Sequence, residues 1–73
     1  MKLLFNDKDF KWREDRHDTL VAYRFGGRQV LTLTGSAKKR FLQLIDNGEF
    51  SNNSDIDSLA KKLLEIGLFI LKK

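Results

Sequence analysis

Cysteine is absent from the chain, which excludes disulfides and thiolate metal ligands. The single histidine, His17, sits in the charged stretch Glu14-Asp15-Arg16-His17-Asp18. That stretch lacks the ligand spacing of a calcium loop. Ser36, Ser51, Ser54 and Ser58 have no histidine base at a spacing that would activate a hydroxyl. Gly26-Gly27 is followed by a strand pattern, where a phosphate loop needs a helix. The expectation is a protein that is not an enzyme and uses no metal or cofactor. No apolar run is long enough to span a membrane, and Met1-Lys2-Leu3-Leu4-Phe5 is too short for the apolar region of a signal peptide. A cytoplasmic protein with no membrane partner is expected. Repeats, low-complexity tracts and an internal boundary are also missing, so residues 1–73 read as a single domain.

The core must come from the hydrophobic side chains, 41% of the 73 residues. A chain this short buries only about 60% of its unfolded surface, so a partner can contribute to its stability. The net charge of +4 suits an acidic partner, either nucleic acid or an acidic peptide.

The chain is organised around Gln29 to Asp46. Leu31 and Leu33 alternate with Val30 and Thr32, the chain turns at Thr34-Gly35-Ser36, and Ala37, Phe41, Leu44 and Ile45 follow at helical spacing. The hydrophobic period switches from two to about 3.6 within a few residues. Thr34 or Ser36 can cap the new helix. Before this junction the pattern is strand. Met1 to Phe5 is apolar, and Phe10 and Trp12 alternate with Lys11 and Arg13. Thr19 to Phe25 is the next strand, and Gly26-Gly27 predicts a two-residue hairpin turn. That turn sets a register in which Phe25 opposes Arg28, Tyr23 opposes Val30 and Val21 opposes Thr32. On the other face Arg24 opposes Gln29, Ala22 opposes Leu31 and Leu20 opposes Leu33. Both faces of this hairpin carry apolar residues. Helices cover one, and Met1 to Phe5 is expected to cover the other.

After the junction the pattern is helical. Lys38, Lys39 and Arg40 occupy the first turn, where the helix dipole favours anions. They read either as a solvated face or as an anion-attracting corner. Leu42 lies off the apolar arc, and Asn47-Gly48 ends the helix with Gly48 as a left-handed cap. Glu49 to Asn53 is a polar linker containing Phe50. Ser54-Asp55-Ile56-Asp57 reads as a capping box for a helix carrying Ile56, Leu59, Ala60, Leu63, Leu64 and Ile66 on one face. Gly67 closes it, with Leu68 packing back on Leu63. Leu68 to Leu71 is a last strand before Lys72-Lys73.

This order, with its spacing, resembles the PqqD-like family of RiPP recognition elements. These bind the leader peptides of ribosomally made, modified peptides. The likeness rests on Phe10-Lys11-Trp12-Arg13-Glu14-Asp15, Thr19 to Tyr23, Val30 to Ala37, Phe41 to Asp46 and Leu63 to Ile70, covering residues 9 to 71. Thr34 stands where the family prefers asparagine, and both residues can cap. The resemblance implies an α+β, winged helix-turn-helix-like domain. Its three-stranded antiparallel sheet is followed by two or three helices and a short C-terminal strand. The family's middle helix must here be compressed into Asn47 to Ser54, or be lost. The implied function is to bind a precursor's leader by β-strand addition and present it to a modifying enzyme of the radical-SAM type, as a free-standing partner. The leader adds along Arg28, Gln29, Val30, Leu31, Thr32 and Leu33, and packs on the helix Asp55 to Ile66. Leu59, Leu63 and Ile66 line the groove from the helix, and Lys62 at its rim meets an acidic leader residue. Independently of the family, a three-stranded sheet leaves an edge whose backbone groups lack partners.

Two other readings compete. A nucleic-acid-binding winged helix needs a basic recognition helix, and Lys61 and Lys62 are offset by Asp55, Asp57 and Glu65. A generic interaction domain could pair the same edge strand in a homodimer.

Overall fold

The computed structural model describes residues 1–72; Lys73 lies outside them. The elements run β1 (Lys2–Phe5), β2 (Phe10–Asp15), β3 (Thr19–Arg24), β4 (Arg28–Thr34), α1 (Gly35–Asp46), a 3-10 turn (Asn53–Asp55), α2 (Ser58–Ile66) and β5 (Phe69–Lys72). They form a small α+β domain with two antiparallel sheets. One is three-stranded, in the order β2-β3-β4, and the other pairs β1 with β5.

The alternation in β2 sets the first pairing, with Trp12 opposite Ala22 and Glu14 opposite Leu20. The β3–β4 hairpin keeps the expected register over Leu20↔Leu33, Val21↔Thr32 and Ala22↔Leu31, and then slips. Tyr23 opposes Gln29 and Arg24 opposes Arg28, so the loop is Phe25-Gly26-Gly27 and Val30 is the extra residue of a β-bulge. Gly26 and Gly27 have φ of 103° and 93°, which a side chain would resist. The slip has a clear physical cause. A two-residue turn would place Gln29 on the core face and Val30 in water. The bulge exchanges them, and Val30 packs against the core.

The N-terminal segment does not cover the outer face of the hairpin, contrary to the expectation above. β1 pairs with β5, with Leu3 opposite Leu71 and Phe5 opposite Phe69, and these side chains join the same core as the helices. Backbone pairing explains the choice. β5 supplies one side of β1. On the other side the Leu3 N–H donates to the Gly48 carbonyl at 2.8 Å and the Phe50 N–H donates to the Met1 carbonyl at 3.0 Å.

In α1 Phe41 and Leu44 are buried, and Leu42 is half-buried despite its place off the apolar arc. Thr34 occupies the cap position but its side chain makes no cap hydrogen bond. Gly48 is not left-handed, and its role is close approach. A Cβ there would sit 2.5 Å from the Leu3 carbonyl oxygen and 3.0 Å from that of Leu44. The expected capping box does not form either. The Ser54 N–H and hydroxyl both bond the Asn52 side chain, α2 starts at Ser58 rather than Asp55, and Asp57 is its N-cap residue. Between α1 and α2 stands one 3-10 turn, Asn53–Asp55. The C-terminus of α2 is as expected. Gly67 is left-handed at φ 96°, its N–H reaches the Leu64 carbonyl at 3.2 Å, and the Leu68 N–H reaches that of Leu63 at 3.0 Å.

Phe41 is the centre of the core. The rings of Phe5, Trp12 and Phe69 meet it edge-on, at centroid distances of 6.1, 5.7 and 5.5 Å. Phe41→Ala is expected to lower stability by about 3–5 kcal/mol. Phe25→Ala, at a half-exposed loop position, is expected to change it by less than about 0.5 kcal/mol. Urea denaturation midpoints of the two variants test the contrast.

Candidate functional site

Two strands end the three-stranded sheet, and their edges differ. β2 carries Lys11, Arg13, Glu14 and Asp15, the kind of charged edge that discourages pairing. β4 carries one charge, Arg28, followed by Gln29, Val30, Leu31, Thr32, Leu33 and Thr34. Among the described residues β4 pairs with β3 alone, so its other edge is free. The bulge turns Val30 and Leu31 to the core side, where both remain half-buried. Gln29 and Thr32 lie on the outer face, joined by a hydrogen bond from the Gln29 Nε2 to the Thr32 hydroxyl at 2.5 Å.

The expected second wall is only partly available. In α2 Leu59 and Ile66 are half-buried and Lys62 is exposed, as a groove rim requires. Leu63 is fully buried and Leu33 nearly so; both belong to the core and offer little surface to a ligand. α2 packs on α1 and β5, and nowhere does its backbone come within 8 Å of β4. The best-formed concavities lie elsewhere. One of about 410 Å³ is walled by Phe5, Phe10, Trp12, Phe25 and Ile45 beside β2. Another of about 250 Å³ lies on the outer sheet face, between Arg13, Val21, Tyr23, Gly27 and Gln29.

The first turn of α1 is not an open anion corner. The Lys38 side chain is only 12% exposed, and its Nζ lies 2.9 Å from Asp18 and 3.7 Å from Glu14. The hydrogen bond from Lys38 holds the Asp18 carboxyl below the usual carboxylate range and raises the Lys38 ammonium, against partial burial. Arg40 forks onto Asp57, with Nη2 at 2.9 Å and Nε at 3.4 Å, and its guanidinium lies 5.8 Å from the Phe50 ring centroid. Two of the three cations are therefore committed to carboxylates of the chain itself, and Lys39 stays exposed. The Lys38 contacts were readable in principle. The hairpin ladder ends with Thr19 opposite Thr34, which delivers the start of α1 beside the turn at Asp18. That turn is tight, with His17 and Asp18 at φ of 60° and 56°.

In comparisons with family models, curated proteins and solved structures, nothing matches this chain. No helix among the described residues is long and apolar enough to cross a membrane.

The Arg40–Asp57 pair generates a pH prediction. Its hydrogen bonds depress the Asp57 pKa in the folded state. The unfolded chain therefore takes up a proton first as pH falls. The stabilisation is complete above the unfolded value of about 3.9 and is lost as pH drops through the lower folded value. Asp57→Asn is expected to lower stability by about 0.5–1 kcal/mol at neutral pH, as for a partly exposed forked pair. It should also flatten the acid limb below about pH 4. Urea midpoints measured between roughly pH 2 and pH 7 for both proteins check this.

Proposed function

We propose that this chain binds an extended peptide by adding it as a strand to the free edge of β4. The peptide is the leader region of a ribosomally synthesised precursor, held for a modifying enzyme of the radical-SAM type in the cytoplasm. The observation that carries the reading is the uncharged stretch Gln29 to Thr34, free along one side and flanked by half-buried Val30 and Leu31. Backbone pairing supplies affinity without regard to sequence, and side chains falling alternately on the two faces supply selectivity. The likeness of Phe10 to Asp15 and Val30 to Ala37 to the PqqD-like family supports the leader as occupant. The winged helix-turn-helix reading rests on element order alone, with Asn53–Asp55 as the remnant of a middle helix.

Strand addition gives this edge a definite geometry. A seven-residue strand spans about 24 Å at about 3.4 Å per residue, enough for a short linear motif. The bulge at Val30 breaks the regular ladder, so the longest uninterrupted pairing runs from Leu31 to Thr34. On the core side, leader side chains meet Val30 and Leu31 from the strand, and Leu59 and Ile66 from α2. Lys62 at the exposed rim attracts an acidic leader residue.

The test uses the peptide, so that the fold of the protein is not at risk. A short precursor gene beside a radical-SAM or other maturase gene identifies the peptide, and calorimetry measures its affinity. N-methylation at alternate leader nitrogens, those facing β4, should weaken binding about two- to ten-fold each, in line with about 0.5–1.5 kcal/mol per hydrogen bond. Methylation at the intervening nitrogens should have little effect. Lys62→Glu should weaken an acidic leader by about 1 kcal/mol. Uniform tolerance of N-methylation would rule out strand addition.

A further inference from the structure

The outer face of the three-stranded sheet carries a pattern that the peptide reading does not use. Both helices and the β1–β5 ribbon pack on the opposite face. Alternation brings Lys11 and Arg13 of β2, Val21 and Tyr23 of β3, and Gln29 and Thr32 of β4 to the outer one. Arg13 lies 5.9 Å from the Tyr23 ring centroid, and the Lys11 Nζ lies 5.4 Å from that of Phe25, at the loop end of the face. Cation and ring thus repeat in a diagonal row: Arg13, Tyr23, Lys11, Phe25. Val21 is buried beneath the row, as the floor of the 250 Å³ concavity between Arg13, Tyr23 and Gln29. Phe25 is 48% exposed.

We infer that this face binds single-stranded nucleic acid, with bases stacking on Tyr23 and Phe25 and phosphates held by Lys11, Arg13 and Arg28. The occupant follows from the repeat. A nucleotide offers one planar base and one anion per unit, and the row offers one ring and one cation per step. Tyr23 and Phe25 are two residues apart on an extended chain, about 6.8 Å, so each can take a different base. Gln29 donates from its amide nitrogen to Thr32, which leaves its carbonyl oxygen to accept from a base edge. Charge complementarity favours a polyanion. Lys11 and Arg28 make no ion pair among the described residues, and Arg13 has only an exposed contact to Asp15 at 3.9 Å. Lys38 and Arg40, the cations that sequence reasoning offered to phosphate, are already paired. The inference does not depend on β4 taking a peptide.

Fluorescence anisotropy of labelled ten-nucleotide single strands, dT and U, against the intact chain tests it. Binding of one or both is expected to exceed that of a duplex of equal length. With three phosphates engaged, log K should fall with log salt at a slope of about −2. Phe25→Ala and Tyr23→Ala should each weaken binding about five-fold or more, as loss of a stacked base does. Lys61→Ala, an equal charge loss on exposed α2, should leave it within about two-fold. Phe25 supports no buried packing, so that variant keeps the test valid if Tyr23→Ala is unfolded by circular dichroism. Three results would overturn the inference: duplex bound as tightly as single strand, binding indifferent to Phe25→Ala, or no binding at low salt. A poly-glutamate peptide that binds with the same dependence on Phe25 would assign the face to acidic peptides instead.

Discussion

Phe41 is the residue through which the two sheets become one structure. It projects from the middle of α1, is fully buried, and receives edge-on rings from β1, β2 and β5. Edge-to-face geometry sets the negative face of one ring against the positive rim of another. The cluster therefore fixes orientation as well as burying area. In a chain this small, a single such cluster occupies most of the covering elements. The ribbon β1–β5 and both helices gather on the inner face. The outer face of β2-β3-β4 and the edge of β4 remain open because nothing is left to cover them.

The two open surfaces have different chemistry, and the difference originates in the bulge at Val30. It turns two successive apolar residues of β4 inward and sends Gln29 outward. The edge of β4 thereby gains an apolar flank on one side and a polar one on the other. The outer face keeps its cations and rings without a competing aliphatic from β4. Internal charge pairing sharpens the division. Lys38 and Arg40 are held by Asp18 and Asp57, which tie α1 to the β2–β3 turn and to the start of α2. A positive surface is left on the sheet.

Local signals in the sequence read well and long-range ones did not. The strand-to-helix junction at Thr34-Gly35, the hairpin register from Leu20 to Ala22 and the Gly67 cap all depend on residues within a few positions of one another. The Asp57 carboxylate was assigned to a local capping box and is instead taken by Arg40, seventeen residues away. Gly48 was assigned a left-handed φ, and its actual constraint is the backbone of Leu3, forty-five positions earlier. The pairing of Met1 to Phe5 with the last strand joins the two ends of the chain, and no periodicity carries that information. The bulge was hidden because Gly26-Gly27 is a strong turn signal. Only the burial of Val30 against Gln29 decides where the turn begins. Of the candidate site, the edge at Arg28 to Thr34 was legible from the strand count. The core role of Leu33 and Leu63 depends on how closely neighbouring elements pack.

The central claim is that β4 offers its backbone to a partner. Amide hydrogen exchange, followed residue by residue with and without saturating leader peptide, tests it most directly. In the free protein, the β4 amides not bonded to β3 should exchange rapidly. With peptide bound, alternate amides between Arg28 and Thr34 should slow by about ten-fold or more, as closed backbone hydrogen bonds require. Amides of β2 should be unchanged. Protection appearing along β2 or at Lys39 to Leu42, with β4 unaltered, would contradict the account.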